Sequence, residues 1–207
     1  MSSRMKIFSF LLLIGLAGAA RAAPAILVFG DSLSAAYGMP RAAGWVALLE
    51  QRLLTGKAGY QVVNASVSGE TTAGGLTRLP ALLASHRPQL LILALGANDG
   101  LRGLPLLQTE RNLEAMITLA EKQGAKVLLI GMRLPPNYGA AYAGKFQTLF
   151  GEVAKKKKVR LLPFLLEGIA TQPAHFQTDG LHPTAQAQTI LLDTVWPVLS
   201  PMLTRKN

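Results

Sequence analysis

Five short apolar runs alternate with longer amphipathic stretches along this chain. The runs are rich in Val, Ile and Leu and indicate strands at residues 26–29, 61–63, 90–95, 126–130 and 159–164. Between them, apolar residues recur at helical spacing, as at Leu113, Met116, Ile117 and Ala120. Apolar strands that alternate with helices are typical of a parallel sheet covered on both faces. The pattern predicts a three-layer α/β/α fold of the flavodoxin-like class, with a five-stranded parallel sheet.

Three small or polar residues come shortly after predicted strands. Ser32 follows the first strand, Gly69 the second and Asn98 the third. Ligands of open parallel sheets bind beyond the carboxyl ends of the strands. We therefore expect Ser32, Gly69 and Asn98 to lie along one edge of the sheet.

Asp179 and His182 are the two further residue types that activate a serine. A hydroxyl becomes a good nucleophile when an imidazole takes its proton and a carboxylate holds that imidazole in the correct tautomer. Ser32, Asp179 and His182 therefore fit acyl transfer chemistry. The plainer roles are a helix N-cap for Ser32 and a capping or surface position for His182. His175 is the rival base, and residues 30–34 lack the G-x-S-x-G elbow of the α/β-hydrolase fold.

Asn98 and Gly69 are candidate donors to an oxyanion. A tetrahedral intermediate needs convergent N–H groups, which a side-chain amide and a closely approaching backbone can supply. Either residue could instead be an ordinary turn former, since glycine and asparagine are common in turns.

Four short blocks of the sequence, in order, resemble those of the SGNH (GDSL) hydrolases. The blocks are Gly30-Asp31-Ser32-Leu33, Gly69, Gly96-Ala97-Asn98-Asp99 and Asp179-Gly180-Leu181-His182. The resemblance runs from about Ile26 to the C-terminus and is strongest to the bacterial thioesterase I, lysophospholipase L1 and arylesterase group. It implies that Ser32, Asp179 and His182 form a catalytic triad. It also implies an oxyanion hole made of the Ser32 and Gly69 amides and the Asn98 side chain.

The resemblance implies a serine hydrolase that acts through an acyl-serine intermediate, without a cofactor. The implied substrates are carboxylic esters, including aryl and short-chain esters, acyl thioesters and lysophospholipids. An acyltransferase or a carbohydrate O-deacetylase would use the same intermediate. A non-catalytic lipid-binding module is disfavoured because such a module would be expected to have lost part of the triad.

Five further residues are candidates for contact with the acyl chain. The resemblance places Leu76, Leu79, Leu134, Pro135 and Tyr138 in loops around an acyl groove. Core packing is the alternative for each of them.

The N-terminus has the pattern of a secretory signal peptide. Arg4 and Lys6 precede an apolar stretch at residues 7–20, which is too short to span a bilayer. Small residues at Ala20 and Ala22 fit a cleavage site before Ala23. We therefore expect a signal peptide at residues 1–22, one catalytic domain at residues 23–207, and a periplasmic or secreted protein. The chain contains no cysteine, so its stability cannot depend on disulfides.

The chain is basic, with a formal net charge of +10. Lys155, Lys156, Lys157 and Lys158 form a run that we interpret as the charged end of a helix, with binding of anionic lipid as the alternative. No nucleic-acid-binding motif is present. An Asp-x-x-His pair with two other histidines and no cysteine gives too few ligands for a recognisable metal site. We expect a monomer that acts on small-molecule substrates and contacts lipid surfaces transiently.

Overall fold

The computed structural model describes residues 23–56 and 58–203. The strands are β1 (Ala25–Gly30), β2 (Gln61–Asn64), β3 (Leu90–Ala94), β4 (Lys126–Ile130) and β5 (Arg160–Leu162). The α-helices in these residues are α1 (Ser32–Ala35), α2 (Trp45–Thr55), α3 (Thr72–His86), α4 (Ala97–Leu101), α5 (Leu106–Lys122), α6 (Ala140–Lys157) and α7 (Gln188–Leu199). All strand pairs are parallel, in the order β2-β1-β3-β4-β5. The predicted five-stranded α/β/α fold is confirmed.

Strand β1 shows how the sheet builds two apolar layers. Its side chains alternate between the faces, so that Ile26 and Val28 join one buried cluster while Leu27 and Phe29 join the other. The first cluster includes α2 and α7, and the second includes α3, α5 and α6. Both faces of β1 are therefore dry, which explains why the strand is an uninterrupted apolar run.

The strand order locates the functional edge of the sheet. The chain passes from β1 outward to β2 and then returns to the other side of β1 to form β3. The order thus reverses between β1 and β3, and a crevice opens beyond their carboxyl ends. Ser32 comes two residues after the end of β1, and Asn98 comes four residues after the end of β3.

The expectation that Leu76 and Leu79 lie in a loop is wrong, because both residues are inside α3. Gly75, one residue before Leu76, allows this helix to pack closely against its neighbours. A Cβ added there would lie 2.4 Å from Cδ1 of Leu95. Strand β5 is also shorter than predicted, and it ends before Pro163, which has no N–H to donate to a neighbouring strand.

The lysine run lies at the C-terminal end of α6, as predicted. Cations are favourable there because the helix dipole is negative at that end. Two of the lysines also reach across to α5: Lys156 pairs with Glu114 at 2.7 Å, and Lys157 donates to the Thr118 hydroxyl at 2.8 Å.

None of the helices in residues 23–56 and 58–203 combines the length and the apolar character needed to cross a bilayer. The predicted signal peptide lies outside the described residues.

Candidate active site

A cavity of about 510 Å³ opens at the carboxyl ends of β1, β3 and β4. Ser32, Asn98 and His182 lie in its wall together with several apolar side chains. These apolar side chains are Leu33, Leu101, Met132, Leu134, Phe164, Leu166 and Leu181. The cavity thus combines one polar corner with an apolar interior, and we refer to it below as the acyl cleft.

Ser32 is held at the end of β1 by the residue before it. The carboxylate of Asp31 accepts a hydrogen bond from the backbone N–H of Leu33 at 3.1 Å, so Asp31 is the N-cap of α1. Ser32 is therefore the first residue of the helix and not its cap. Its hydroxyl is left available for another partner.

Asp31 is almost completely buried, with 2% of its surface exposed. Burial raises the pKa of the Asp31 carboxyl to about 6, because a charged carboxylate loses its hydration there. The Leu33 N–H and the nearby His182 act in the opposite direction and favour the charged form.

Asp179 and His182 lie in a tight loop closed by backbone hydrogen bonds. Phe176 and Pro183 form an antiparallel bridge, and the N–H of Gln177 donates to the carbonyl of His182 at 2.8 Å. One carboxylate oxygen of Asp179 accepts from the backbone N–H of Leu181 at 2.9 Å and from that of His182 at 3.0 Å. These bonds, of which the one from the His182 N–H has the largest effect, lower the pKa of Asp179 to about 2.

The second oxygen of Asp179 completes a relay to the serine. It lies 2.7 Å from Nδ1 of His182, while Nε2 of the same ring lies 2.9 Å from Oγ of Ser32. An ionised carboxylate can only accept, so Nδ1 carries the proton and Nε2 is left as the acceptor for the serine hydroxyl. The structure therefore brings Ser32, Asp179 and His182 together, in the geometry of a base poised to deprotonate a nucleophile.

Asn98 contacts both Asp31, which precedes Ser32, and Glu70, which follows Gly69. The backbone turns between Val67 and Glu70, and Gly69 has a φ of +78°, which favours glycine. The side-chain amide of Asn98 donates to the carbonyl of Glu70 at 3.0 Å and lies 3.4 Å from the carboxylate of Asp31. Asn98 is thus oriented by the turn that contains Gly69.

Two of the five predicted groove residues line the acyl cleft. Leu134 and Pro135 are in its wall. The assignment of Leu79 is wrong: the side chain is 0% exposed and packs in the core on the α3 side of the sheet. Leu76 packs against the same core, and Tyr138 donates its hydroxyl to the carbonyl of Leu101 at 3.2 Å; neither belongs to the cleft wall.

Two residues beside the relay were not predicted from the sequence. Tyr37 places its ring 4.4 Å from that of His182, and the side chain of Gln177 donates to the carbonyls of both Tyr37 and Pro183. Tyr37 and Gln177 are 140 residues apart and belong to no recognised block, so only the tertiary structure could reveal them.

The rival base His175 ends a short 3-10 helix, and the ring that contacts Ser32 is that of His182.

The sequence of this chain is similar to those of known hydrolases. A model of the GDSL-like lipase/acylhydrolase family matches residues 28–190. Esterase TesA of Pseudomonas aeruginosa is 52% identical over 182 residues, which make up 88% of this chain and 90% of that protein. Thioesterase 1/protease 1/lysophospholipase L1 of Escherichia coli K12 is 42% identical over 194 residues, or 94% of this chain and 92% of that protein.

The fold is shared over the same span. The crystal structure of TesA matches with a TM-score of 0.85 at 51% identity, covering 86% of this chain and 99% of that one. Sequence and fold agree over the region that carries all four blocks, so the resemblance read from the blocks is confirmed. The chain is a hydrolase and belongs to the GDSL-like lipase/acylhydrolase family.

Proposed function

We propose that this protein is a serine esterase and thioesterase in which Ser32 is the nucleophile, His182 the base and Asp179 the residue that orients the base. The observation that carries the proposal is the unbroken relay from Asp179 through His182 to the Ser32 hydroxyl, with distances of 2.7 and 2.9 Å. A hydroxyl, an imidazole and a carboxylate at hydrogen-bond distance form the arrangement that activates serine for acyl transfer.

Acylation begins when Ser32 Oγ attacks the carbonyl carbon of the substrate and Nε2 of His182 takes the hydroxyl proton. Positive charge then develops on the imidazole beside the Asp179 carboxylate, which stabilises it. The tetrahedral intermediate collapses as the bond to the leaving group breaks, and His182 returns the proton to the departing oxygen or sulfur. An acyl-serine remains.

Water completes the cycle by the same steps. His182 takes a proton from a water molecule, the resulting hydroxide attacks the acyl-serine, and Ser32 Oγ leaves with the proton held by the imidazole. The free acid departs and the relay is restored.

The oxyanion of both intermediates needs hydrogen-bond donors. We assign this role to the backbone N–H groups of Ser32 and Gly69 and to the side-chain amide of Asn98. The assignment is supported by the position of Asn98 in the cleft wall beside Ser32 and by its bond to Glu70, the residue after Gly69. Donors held in place before the reaction stabilise the developing charge without reorganisation.

The substrates we propose are carboxylic esters, acyl thioesters and lysophospholipids. The apolar interior of the acyl cleft suits a hydrocarbon chain, which gains about 0.8 kcal/mol for each methylene buried. The relatives named esterase TesA and thioesterase 1/protease 1/lysophospholipase L1 support the same substrate classes.

We also propose that the protein is exported and that its mature chain begins near Ala23. The support is the N-terminal sequence, in which a basic start, a short apolar stretch and small residues before Ala23 occur in the order of a signal peptide. Residues 28–190, which match the family, all follow this point.

Hydrolysis of three substrate types by the mature protein tests the function. Butyryl esters, an acyl thioester and a lysophospholipid share the acyl-serine chemistry but differ in leaving group. Ser32→Ala should lower every rate by about 10³-fold or more, and a fluorophosphonate should add one adduct at Ser32. Ser85→Ala, an exposed serine near the end of α3, is the matched control and should keep full activity.

Near-normal turnover by Ser32→Ala would refute the proposal. An acyl-serine at Ser32 that is not hydrolysed by water but transfers its acyl group to a sugar hydroxyl would instead identify an acyltransferase.

A further inference from the structure

Tyr37 is an exposed aromatic residue directly beside the proposed catalytic base. Its side chain is 49% exposed, and its ring centroid lies 4.4 Å from that of the His182 imidazole, with the two planes inclined by 37°. A single exposed apolar side chain is common on a protein surface and does not by itself indicate a function. Tyr37 differs because its ring contacts that of His182, which belongs to the relay.

The backbone of Tyr37 is tied to both halves of the site. Its N–H donates to the carbonyl of Ser32 at 3.2 Å, and its carbonyl accepts from the side-chain amide of Gln177 at 2.8 Å. The same amide donates to the carbonyl of Pro183 at 3.1 Å, next to His182. These bonds hold the backbone in place without using the ring, so the exposed face of the ring remains free to contact another molecule.

The ring lies outside the acyl cleft. Ser32, Asn98 and His182 are in the cleft wall, whereas Tyr37 is not. Tyr37 therefore covers a part of the imidazole that the acyl chain does not reach. The apolar rim of the site continues at Leu181, which is 44% exposed.

The chemistry places the leaving group near this ring. His182 must protonate the departing oxygen or sulfur, so that atom lies within hydrogen-bond distance of Nε2. The acyl part occupies the cleft, and the rest of the leaving group must extend out of it, past the imidazole. An aromatic ring packed against that imidazole offers a flat apolar surface at this exit.

We propose that Tyr37 is a specificity-determining residue of a leaving-group subsite, where its ring packs against aromatic leaving groups. The inference rests on the proposed serine esterase function and names the residue that would contact an aryl leaving group. Contact between the Tyr37 ring and an aromatic leaving group should raise kcat/KM for an aryl ester by about 2- to 10-fold.

Paired esters with the same acyl group test the proposal. Methyl butyrate and 2-naphthyl butyrate give the same butyryl-serine, so they differ only in the leaving group. Tyr37→Ala should lower kcat/KM for the naphthyl ester by about 2- to 10-fold more than for the methyl ester. Tyr37→Phe, which retains the ring, should behave like the unmodified enzyme on both esters, and deacylation of the common intermediate should be unchanged in both variants.

Gln177→Ala is the matched comparison, because it loosens the link between Tyr37 and Pro183 but retains the ring. Gln177→Ala should lower kcat/KM by the same factor for both esters, because the substitution disturbs the position of His182. If Tyr37→Ala shows this uniform loss, or no loss on either ester, the leaving-group subsite is refuted. These results differ from failure of the proposed function, in which the unmodified enzyme would hydrolyse neither ester. Urea unfolding of each variant separates changes in stability from changes in specificity.

Discussion

Asp99 accepts two hydrogen bonds from Thr72, one from the backbone N–H at 2.9 Å and one from the hydroxyl at 2.5 Å. Both residues are buried, and Asn112 of α5 donates to the Thr72 hydroxyl at 3.0 Å. Asp99 follows Asn98, and Thr72 begins α3 two residues after Glu70. The buried link therefore fixes Asn98 relative to the turn that contains Gly69.

Replacing Thr72 by Val should destabilise the protein by about 1–3 kcal/mol, because the buried carboxylate of Asp99 loses a donor and Asn112 loses its acceptor. Urea unfolding measures the change. Thr77→Val, at an exposed position of the same helix, removes a hydroxyl that bonds only within the helix and should change stability by no more than about 0.5 kcal/mol. Equal effects of the two substitutions would show that the buried link contributes nothing.

Replacing Asn98 by Ala should lower kcat by about 10²- to 10³-fold with little change in KM, since the amide is expected to bind an oxyanion that exists only during the reaction. Steady-state kinetics on a butyryl ester provides the measurement, and an unfolding curve shows whether the fold is intact. A rise in KM alone, or a variant that does not fold, would make Asn98 a structural turn residue.

The edge of the sheet that carries the site was predictable from the sequence. Ser32, Gly69 and Asn98 each follow an apolar run, and the carboxyl ends of parallel strands meet at one edge. Asp179 and His182 are three residues apart, so a single turn can bring the carboxylate to the ring, and the structure has this contact at 2.7 Å.

Contacts between distant segments were not predictable. The segment of Leu76 and Leu79 is helical and not a loop. The close contact of neighbouring Gly75 with Leu95, which requires a glycine, exists only in the folded protein. The resemblance places Leu79 in the groove, whereas the structure has it in the core. The sequence around a leucine does not say which layer its side chain packs into. The bond from Gln177 to Tyr37 joins positions with no local signal in either segment.

Replacing Asp31 by Asn should stabilise the protein more at pH 7 than at pH 4. Burial raises the pKa of Asp31 from 3.8 to about 6, so the folded state holds this proton more tightly than the unfolded state. The resulting stabilisation is complete below about pH 4 and is lost as the pH rises through about 6. Asn remains a good N-cap and does not titrate.

The stability difference between Asp31→Asn and the unmodified protein should therefore grow by as much as about 3 kcal/mol between pH 4 and pH 7. Urea unfolding at several pH values measures it. Asp193→Asn, which removes a negative charge from the surface, is the comparison variant. A difference that does not vary with pH would contradict the role of burial.

Replacing Leu134 by Ser should lower kcat/KM progressively as the acyl chain of the substrate lengthens, while acetyl esters are spared. Leu134 lies in the apolar wall of the cleft, and each methylene that loses its apolar contact costs about 0.8 kcal/mol. A series of esters from acetyl to decanoyl measures the dependence. Leu107→Ser, at a position on α5 that is 57% exposed, should leave the dependence of kcat/KM on chain length unchanged. A uniform loss at all chain lengths would place Leu134 in the core rather than in the groove.

Mass spectrometry of the exported protein should show an N-terminus near Ala23, since residues 1–22 have the order of features found in signal peptides. A chain expressed from Ala23 should have the same kcat as the exported protein. Retention of Met1 in the exported protein would rule out the cleavage that we propose.

The relay joins two parts of the chain that are synthesised far apart in time. Ser32 and His182 are 150 positions apart. Helix α7 is held against the start of α2 by a buried bond of 3.0 Å from the N–H of Trp45 to the side chain of Gln188. A nascent chain therefore carries the proposed nucleophile 150 residues before it acquires the proposed base. Until the segment with His182 has docked, the proposed base cannot activate Ser32. A chain kept unfolded for transport would likewise not attack the acyl thioesters and lipids of the compartment in which it was made.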